Sequence, residues 1–333
     1  MEFTVGGRLE VRITQADVGK RVSVRCRCED GAPGAAFTDT VGVLTSWDTG
    51  VLRITPKSGR SVHIAESTLV AGKVVPPAPA RRSGPAATFT ELARATARAW
   101  QPVESEALGD WRLRAAEGFT RRANSILPLG DPGMPVADAL AYAERWYAER
   151  GLPAYVQAGT GAADSQEALC AELEENGWRR EVSAEVRIAA LAPLGDQDSD
   201  VSRVLLHRTL DAPWLKRYHR AGADPAPMLR VLSQGPSVWF ATVPGDDPEG
   251  APAAIGRCVV DGRWAGFGAI EVSPEHRRRG IATTMMTALA RTALEEGASA
   301  AWLQVEEDNA GALALYDRMG FVTHHRYHHF RSA

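Results

Sequence analysis

Residues 76–86 read PPAPARRSGPA, and four prolines in eleven positions leave too few backbone N–H donors for a helix or an interior strand. The segment therefore has to be a connection, a Pro-rich and semi-rigid linker between regions that bury their apolar residues at different periods. Before it, over residues 1–75, short alternating runs at 9–13, 21–28, 41–47, 51–55 and 61–65 are separated by Gly, Pro and Asp turns. Five strands in so short a span suit a small all-β, SH3-like barrel, and a looser meander would give the same pattern.

After the linker, helix signals at 89–99, 136–150, 166–176, 204–220, 281–296 and 310–319 alternate with strands, which argues for an α/β (α+β) sheet covered by helices. The sequence also repeats itself. LPAYVQAG followed by ALCAELEENGWRREV, near 152–182, resembles AAWLQVE followed by GALALYDRMGFVTHH, near 300–325. Each copy is a strand, a loop, a helix ended by Gly and an aromatic, and a second strand. The pattern predicts two related lobes, 87–195 and 196–333.

The 38 Lys+Arg against 41 Asp+Glu, a formal charge of -3, supply no general attraction to a polyanion, so nucleic acid is not expected as a partner. No apolar run is long enough to span a bilayer and the first residues lack a signal-peptide pattern, so the sequence predicts a cytoplasmic protein without a membrane partner. Cys26 and Cys28 alternate with arginines on the same face as Val22 and Val24 and read as core, as does Cys258 beside Val259. No second ligand pair accompanies them, and no metal is expected. His324 and His328 fall on one face of a terminal strand and His325 and His329 on the other, which reads as acceptor-side polar groups rather than as a metal site.

The chemistry concentrates in one strand, turn and helix. The strand 267–272 runs into SPEHRRRGIATTMMTALARTALEEG, where Ile281, Met285, Leu289 and Leu294 form a helical stripe and Gly297 a stop. The N–H groups of a helix's first turn have no intrahelical partner and carry partial positive charge. Gly280 lets the backbone close around an anion, Ala282 allows close approach, and Arg277, Arg278 and Arg279 add charge, so a pyrophosphate fits this turn.

The run R-R-R-G-I-A after I-E-V-S-P-E-H resembles motif A, [QR]-x-x-G-x-[GA], of the GNAT superfamily of N-acetyltransferases. WLQVEEDNAGALALYDRMGF resembles the superfamily's following strand, its Asn, and the helix with a Tyr before the x-G-F turn. The layout of barrel and two lobes also resembles an actinobacterial multidomain type of GNAT protein. The resemblance implies a tandem GNAT fold whose first lobe is degenerate, and acetyl-CoA as cosubstrate. It implies backbone contacts from Ile270, Glu271 and Val272 to the pantetheine arm, and a pyrophosphate on the amides of Arg278, Arg279, Gly280, Ile281, Ala282 and Thr283. Asn309 matches the Asn near the cofactor arm and Tyr316 the Tyr near the CoA sulfur.

Gln304 stands where some amino-terminal acetyltransferases of the superfamily have a general-base Glu, so that base does not carry over. Glu271 is the first candidate for the base, with Glu306 and Glu307 behind it, and each could equally be solvated. Tyr316 could protonate the leaving thiolate or only donate a hydrogen bond to it, and Asn309 could simply cap a helix. In the first lobe LPLGDPGMPVADAL replaces the phosphate turn. There Asp131 repels phosphate, Pro132 and Pro135 lack N–H groups, and Leu173 aligns with Tyr316, so one acetyl-CoA per chain is expected. The expected activity is direct acetyl transfer to a small-molecule or peptide amine, and the alternative is a non-catalytic acyl-CoA-binding sensor or scaffold. The N-terminal barrel, without a catalytic set, is expected to dock a protein partner.

Overall fold

The computed structural model of the protein describes residues 10–27, 37–76, 84–219, 225–247 and 249–332. Leu9, Cys28, the linker residues 77–83 and Arg220 lie outside these. Two compact units emerge: the N-terminal segment together with 158–179, and the remainder from 84 onward.

In the first unit, β1 (Arg21–Arg27), β2 (Phe37–Asp48), β3 (Val51–Thr55), β4 (Val62–Ala65) and β5 (Leu69–Val74) form one antiparallel sheet in the order β4-β3-β2-β1-β5. Val22, Val24, Leu44, Leu52 and Ile54 are fully buried within it, and Cys26 packs half-buried against this core. The β2–β3 hairpin turns on Thr49 and Gly50, both at positive φ, which matches the twist of the strands it joins. Five strands are present, yet the expected one at 9–13 is replaced by β5. Val11 makes only an isolated bridge to Gly72, and a Cβ on Gly72 would lie 2.8 Å from the Ile13 side chain. The glycine that makes room for Ile13 also breaks the alternation that would have announced β5.

The remaining elements are α1 (Phe89–Ala99), β6 (Glu104–Leu108), β7 (Trp111–Ala115), β8 (Leu127–Pro128), α2 (Val136–Ala148), β9 (Tyr155–Thr160), α3 (Glu167–Glu175), β10 (Arg179–Ala190), α4 (Ala192–Gly195), β11 (Leu205–His207), α5 (Ala212–Arg217), α6 (Ala226–Ser233), β12 (Ser237–Val243), β13 (Ala254–Asp261), β14 (Trp264–Val272), α7 (Ile281–Glu295), β15 (Ala300–Glu306), α8 (Ala310–Arg318) and β16 (Val322–Arg331). An eight-stranded sheet runs β11-β12-β13-β14-β15-β10-β16-β9, and β6-β7-β8 form a small second sheet. Among the described residues no helix is long and apolar enough to cross a membrane.

The large sheet buries both faces. On one, Met285 and Leu289 of α7 and Tyr316 of α8 pack with Phe267, Leu303 and Phe321. On the other, Leu92 of α1, Trp214 of α5 and Met228 and Leu232 of α6 pack with Trp302 and Tyr327. These are termed the α7 face and the α6 face below. The expected helix over 204–220 is instead β11, a loop and the short α5. Asp211 caps α5 by accepting from the Trp214 N–H at 2.8 Å, and Pro213 is tolerated only because it sits in the first turn.

α3 and α8 end alike. After α3, Gly177 at φ 82° turns the chain so that the Trp178 N–H reaches the Leu173 carbonyl at 2.9 Å. After α8, Gly320 at φ 84° lets the Phe321 N–H reach the Tyr316 carbonyl at 3.0 Å. Both are helix stops that need a left-handed residue, and Gly151 and Gly297 end α2 and α7 in the same way. Before α2, the Asp131 carboxylate accepts from the Gly133 N–H at 2.7 Å, and Pro135 stands at the N-cap. A protein carboxylate thus holds the donor that an anion would need.

Arg257 of β13 is 2 % exposed and has no carboxylate partner among the described residues. Its guanidinium donates instead to the carbonyls of Ala99, at the end of α1, and of Leu232 and Gln234, at the end of α6, at 2.7–3.0 Å. Trp100 lies over it, and burial brings its pKa down to about 10.

Candidate functional site

β14 and β15 pair in parallel only from Trp264–Ala300 to Phe267–Leu303. Beyond that point β14 stays with β13 as far as Val272, while β15 stays with β10 as far as Glu306. The two central strands therefore separate into a wedge, leaving backbone N–H and C=O groups along both edges without a ladder partner across the gap. Ile270, Glu271 and Val272 lie on one edge, half-buried, and Gln304 and Glu306 on the other.

An extra residue in β14 sets which side chain faces which way. Arg257 pairs with Gly268 and Ile255 with Glu271, so three steps on β14 answer two on β13, and Ala269 takes φ 50°. This is a β-bulge. Strict alternation from Phe267 would send Ala269 and Glu271 to the α7 face. The bulge instead sends Ile270 and Val272 there and turns Glu271 to the α6 face, opposite Ile255.

There Glu271 has a partner that the sequence did not reveal. The His219 Nδ1 lies 2.6 Å from Glu271 Oε1, and the His219 N–H donates to Oε2 at 3.2 Å. Glu271 keeps only 15 % of its side chain exposed, His219 keeps 64 %, and the pair connects a sheltered carboxylate to solvent. Of the other two candidate carboxylates, Glu307 pairs with Arg326 at 2.6 Å, whereas Glu306 lines a cavity on the α6 face. Gln304 also faces that side, paired in register with Val186, and its buried Oε1 has no hydrogen-bond partner among the described residues.

The turn before α7 has the shape expected of an anion cradle. Arg278 and Gly280 both adopt left-handed φ, 63° and 76°, with Arg279 between them outside that region, so the backbone curls into a concavity. No side chain caps the helix, and a Cβ built on Gly280 would meet nothing within 4 Å. The guanidiniums of Arg278 and Arg279 are exposed and form no ion pair among the described residues, and Ile281, Ala282 and Thr283 follow half-buried. Arg277 is turned back, donating to the Val272 carbonyl at 3.3 Å. Asn309 does cap α8, its Oδ1 accepting from the Ala312 N–H at 3.1 Å.

Tyr316 of α8 is 8 % exposed, edge-on to Phe321, and its hydroxyl has no hydrogen-bond partner among the described residues. Burial alone pushes its pKa up to about 12. Cys258, 1 % exposed, is pushed up to about 12 by burial as well, which leaves no thiolate to act as a nucleophile. His325 and His328 are buried and held down to about 3, His328 sharing a hydrogen with Ser183 at 2.7 Å. Among the described residues no group of His, Cys, Asp or Glu is arranged to hold a metal.

The comparisons with known proteins agree on one chemistry. Residues 86–330 match the family described as the C-terminal part of the probable histone acetyltransferase Rv0428c, and residues 16–73 match its N-terminal Sm-like domain. The chain is 29 % identical over 314 residues to a Mycobacterium tuberculosis protein called probable histone acetyltransferase, covering 92 % of this chain and 93 % of that one. An uncharacterized N-acetyltransferase of Bacillus subtilis, YobR, is 26 % identical over 71 % of this chain and 96 % of its own. Two solved structures share the fold. A GCN5-related N-acetyltransferase from Kribbella flavida has a TM-score of 0.52 at 15 % identity, covering 74 % of this chain and 96 % of its own. A tandem GNAT protein from the clavulanic acid biosynthesis pathway has 0.53 at 15 %, covering 75 % and 90 %.

Proposed function

Because the chain belongs to the Rv0428c acetyltransferase family, with a tandem GNAT fold and an N-terminal all-β domain, we propose that it moves the acetyl group of acetyl-CoA directly to an amine. The observation that carries this reading is the wedge between β14 and β15, opening beside the uncapped turn at Gly280. An extended pantetheine arm carries amides that can pair with the free edge at Ile270–Val272 as an added strand would. The pyrophosphate then reaches the concavity from Arg278 to Thr283, where the space in front of Gly280 receives it. Asn309, its Oδ1 engaged as a cap, contributes to the cofactor arm through the amide nitrogen and by fixing the start of α8.

In the reaction the amine nitrogen attacks the thioester carbonyl carbon, the C–N bond forms, the C–S bond breaks and CoA leaves as the thiolate. A lysine-like amine near pKa 10.4 has to lose a proton first, which costs about 5 kcal/mol at neutral pH. Glu271 is placed to take that proton, with His219 passing it to solvent, and the Gln304 oxygen is free to orient the amine. Tyr316 approaches from the α7 face and donates its free hydroxyl hydrogen to the sulfur. Full protonation by a phenol at about 12 of a thiolate near 8.5 would run uphill by about 5 kcal/mol, so the hydrogen bond is its contribution.

Relatives are named for different acceptors, a histone in one and streptothricin in another, so their names do not choose the amine. The first lobe binds no second acetyl-CoA in this reading, since Asp131 fills its own turn and Leu173 stands in place of the tyrosine. The test is calorimetry with acetyl-CoA followed by thiol detection of CoA release on an amine library. One site per chain and amine-dependent release support the reading. Binding without turnover on any amine would favour an acyl-CoA sensor whose N-terminal domain docks a partner.

A further inference from the structure

On the α6 face a cavity of about 360 Å3 opens beside the wedge, and no motif of the sequence points to it. Its walls include Arg121, Arg122, Tyr155, Tyr327, His329 and, at the wedge side, Glu306 of β15. Phe119, also in the wall, meets the ring of Tyr218, the neighbour of His219, at 6.3 Å between centroids. The cavity is thus next to the groups that would receive the amine proton.

Its charge is unbalanced. Arg121 is paired with Glu181 at 3.0 Å and stacked over Tyr155, but among the described residues Arg122 donates only to the Tyr327 hydroxyl at 2.9 Å. Arg114, buried behind, donates to Ser125 and Gln157 and to no carboxylate. Burial first, and then the field of these three guanidiniums, lowers the pKa of His329 and keeps it neutral. His329 is 3 % exposed, and neither ring nitrogen has a hydrogen-bond partner among the described residues. A buried imidazole with both nitrogens unanswered is costly unless a ligand answers them, and its one N–H is a donor.

We propose that this cavity is the acceptor site, and that the acceptor is a small amine carrying an oxyanion, a carboxylate or a phosphate, seated on Arg122 and His329 with its amine toward Glu306. The inference rests on the acetyltransferase reading and names its substrate class. The volume suits a metabolite rather than a protein surface. A basic peptide offering a lysine would bring further positive charge to Arg114 and Arg122, which have no carboxylate partner among the described residues.

The experiment uses the full chain with acetyl-CoA and compares paired probes: β-alanine with its amide, phosphoethanolamine with ethanolamine, and a basic lysine peptide. Each anionic probe is expected to exceed its neutral partner in kcat/KM by at least about tenfold, the factor of one charge-assisted hydrogen bond. Whichever pair shows the larger ratio tells carboxylate from phosphate. Arg122→Gln is expected to erase the ratio while leaving acetyl-CoA affinity unchanged, and Arg122→Lys to keep part of it. Binding is read separately from the His329 ring signals in 15N NMR, which the anionic probes are expected to shift in the wild type and not in Arg122→Gln. Equal rates within the pairs, preference for the basic peptide, or unshifted His329 signals would overturn the inference and leave the acetyltransferase reading standing. Absence of acetyl-CoA binding would overturn both.

Discussion

Replacing Tyr316 by Phe should leave stability almost unchanged while cutting catalysis. The ring is buried and keeps its contact with Phe321, whereas the hydroxyl oxygen has no hydrogen-bond partner among the described residues and is not among the atoms sealed from solvent. Deleting it is expected to change stability by no more than about 0.5 kcal/mol, against the usual loss for a core truncation. Catalysis loses a donor aimed at the charge that develops on sulfur, and removal of one such donor typically costs about 3–4 kcal/mol, or roughly 100- to 1000-fold in kcat. With its pKa at about 12, the phenol stays protonated through neutral pH, so the wild-type rate should show no limb from its ionisation below pH 10. Thermal melts, acetyl-CoA calorimetry and kcat by CoA release separate these effects. A Tyr316→Phe variant that turns over within threefold of wild type and melts several degrees lower would show that Tyr316 is a packing residue, and the assignment would be withdrawn.

Gly280→Val is expected to cost about 1–2 kcal/mol of stability because φ 76° is strained for a side chain, and to weaken acetyl-CoA binding at least tenfold by filling the space in front of the turn; undiminished calorimetric affinity would reject the cradle. Glu271→Gln should lower the rate most toward acidic pH, where the amine is protonated, and His219→Ala should do the same more weakly; unchanged pH–rate profiles for both would remove the pair from the proton path. For His325 and His328 the folded pKa lies near 3 against 6.5 in the unfolded chain, so below 6.5 the unfolded state binds more protons and folding weakens as pH falls. Each contributes a loss of roughly 1 kcal/mol per pH unit between those values. Denaturant melts at pH 7, 6 and 5 should show a steep decline, and a flat series would contradict their buried, neutral state.

The parts of the molecule written in local pattern were readable from sequence. α1 and the start of α7 lie where the apolar spacing and the Gly280 turn placed them, because a helix's burial stripe and its caps are decided within a few residues. The resemblance located Tyr316 and the turn because those motifs are contiguous. What escaped were features made by distant residues. Gly268, a glycine inside a strand run, marks where a bulge can form but not that one does, and yet the bulge decides that Glu271 faces His219. β5 was hidden by Gly72, whose lack of a side chain serves Ile13. α6 was overlooked because eight residues opening on two prolines give little period to read. The cavity collects residues from five separate places, 118–124, 152–155, 182, 306 and 327–329, and only the folded sheet brings them together.

Arg257 has a mechanical consequence. A single side chain rooted in β13 grips the last carbonyls of both α1 and α6, so neither helix can slide over the sheet without tearing hydrogen bonds from the other. A methionine there would set both helices loose at once, and the roof above the wedge would breathe as one piece while its strands stayed in register. Hydrogen exchange in such a variant should rise together at the C-terminal turns of the two helices. Segments far apart in the chain, ending at Ala99 and at Gln234, would then open with one shared rate, as parts of a single hinged plate.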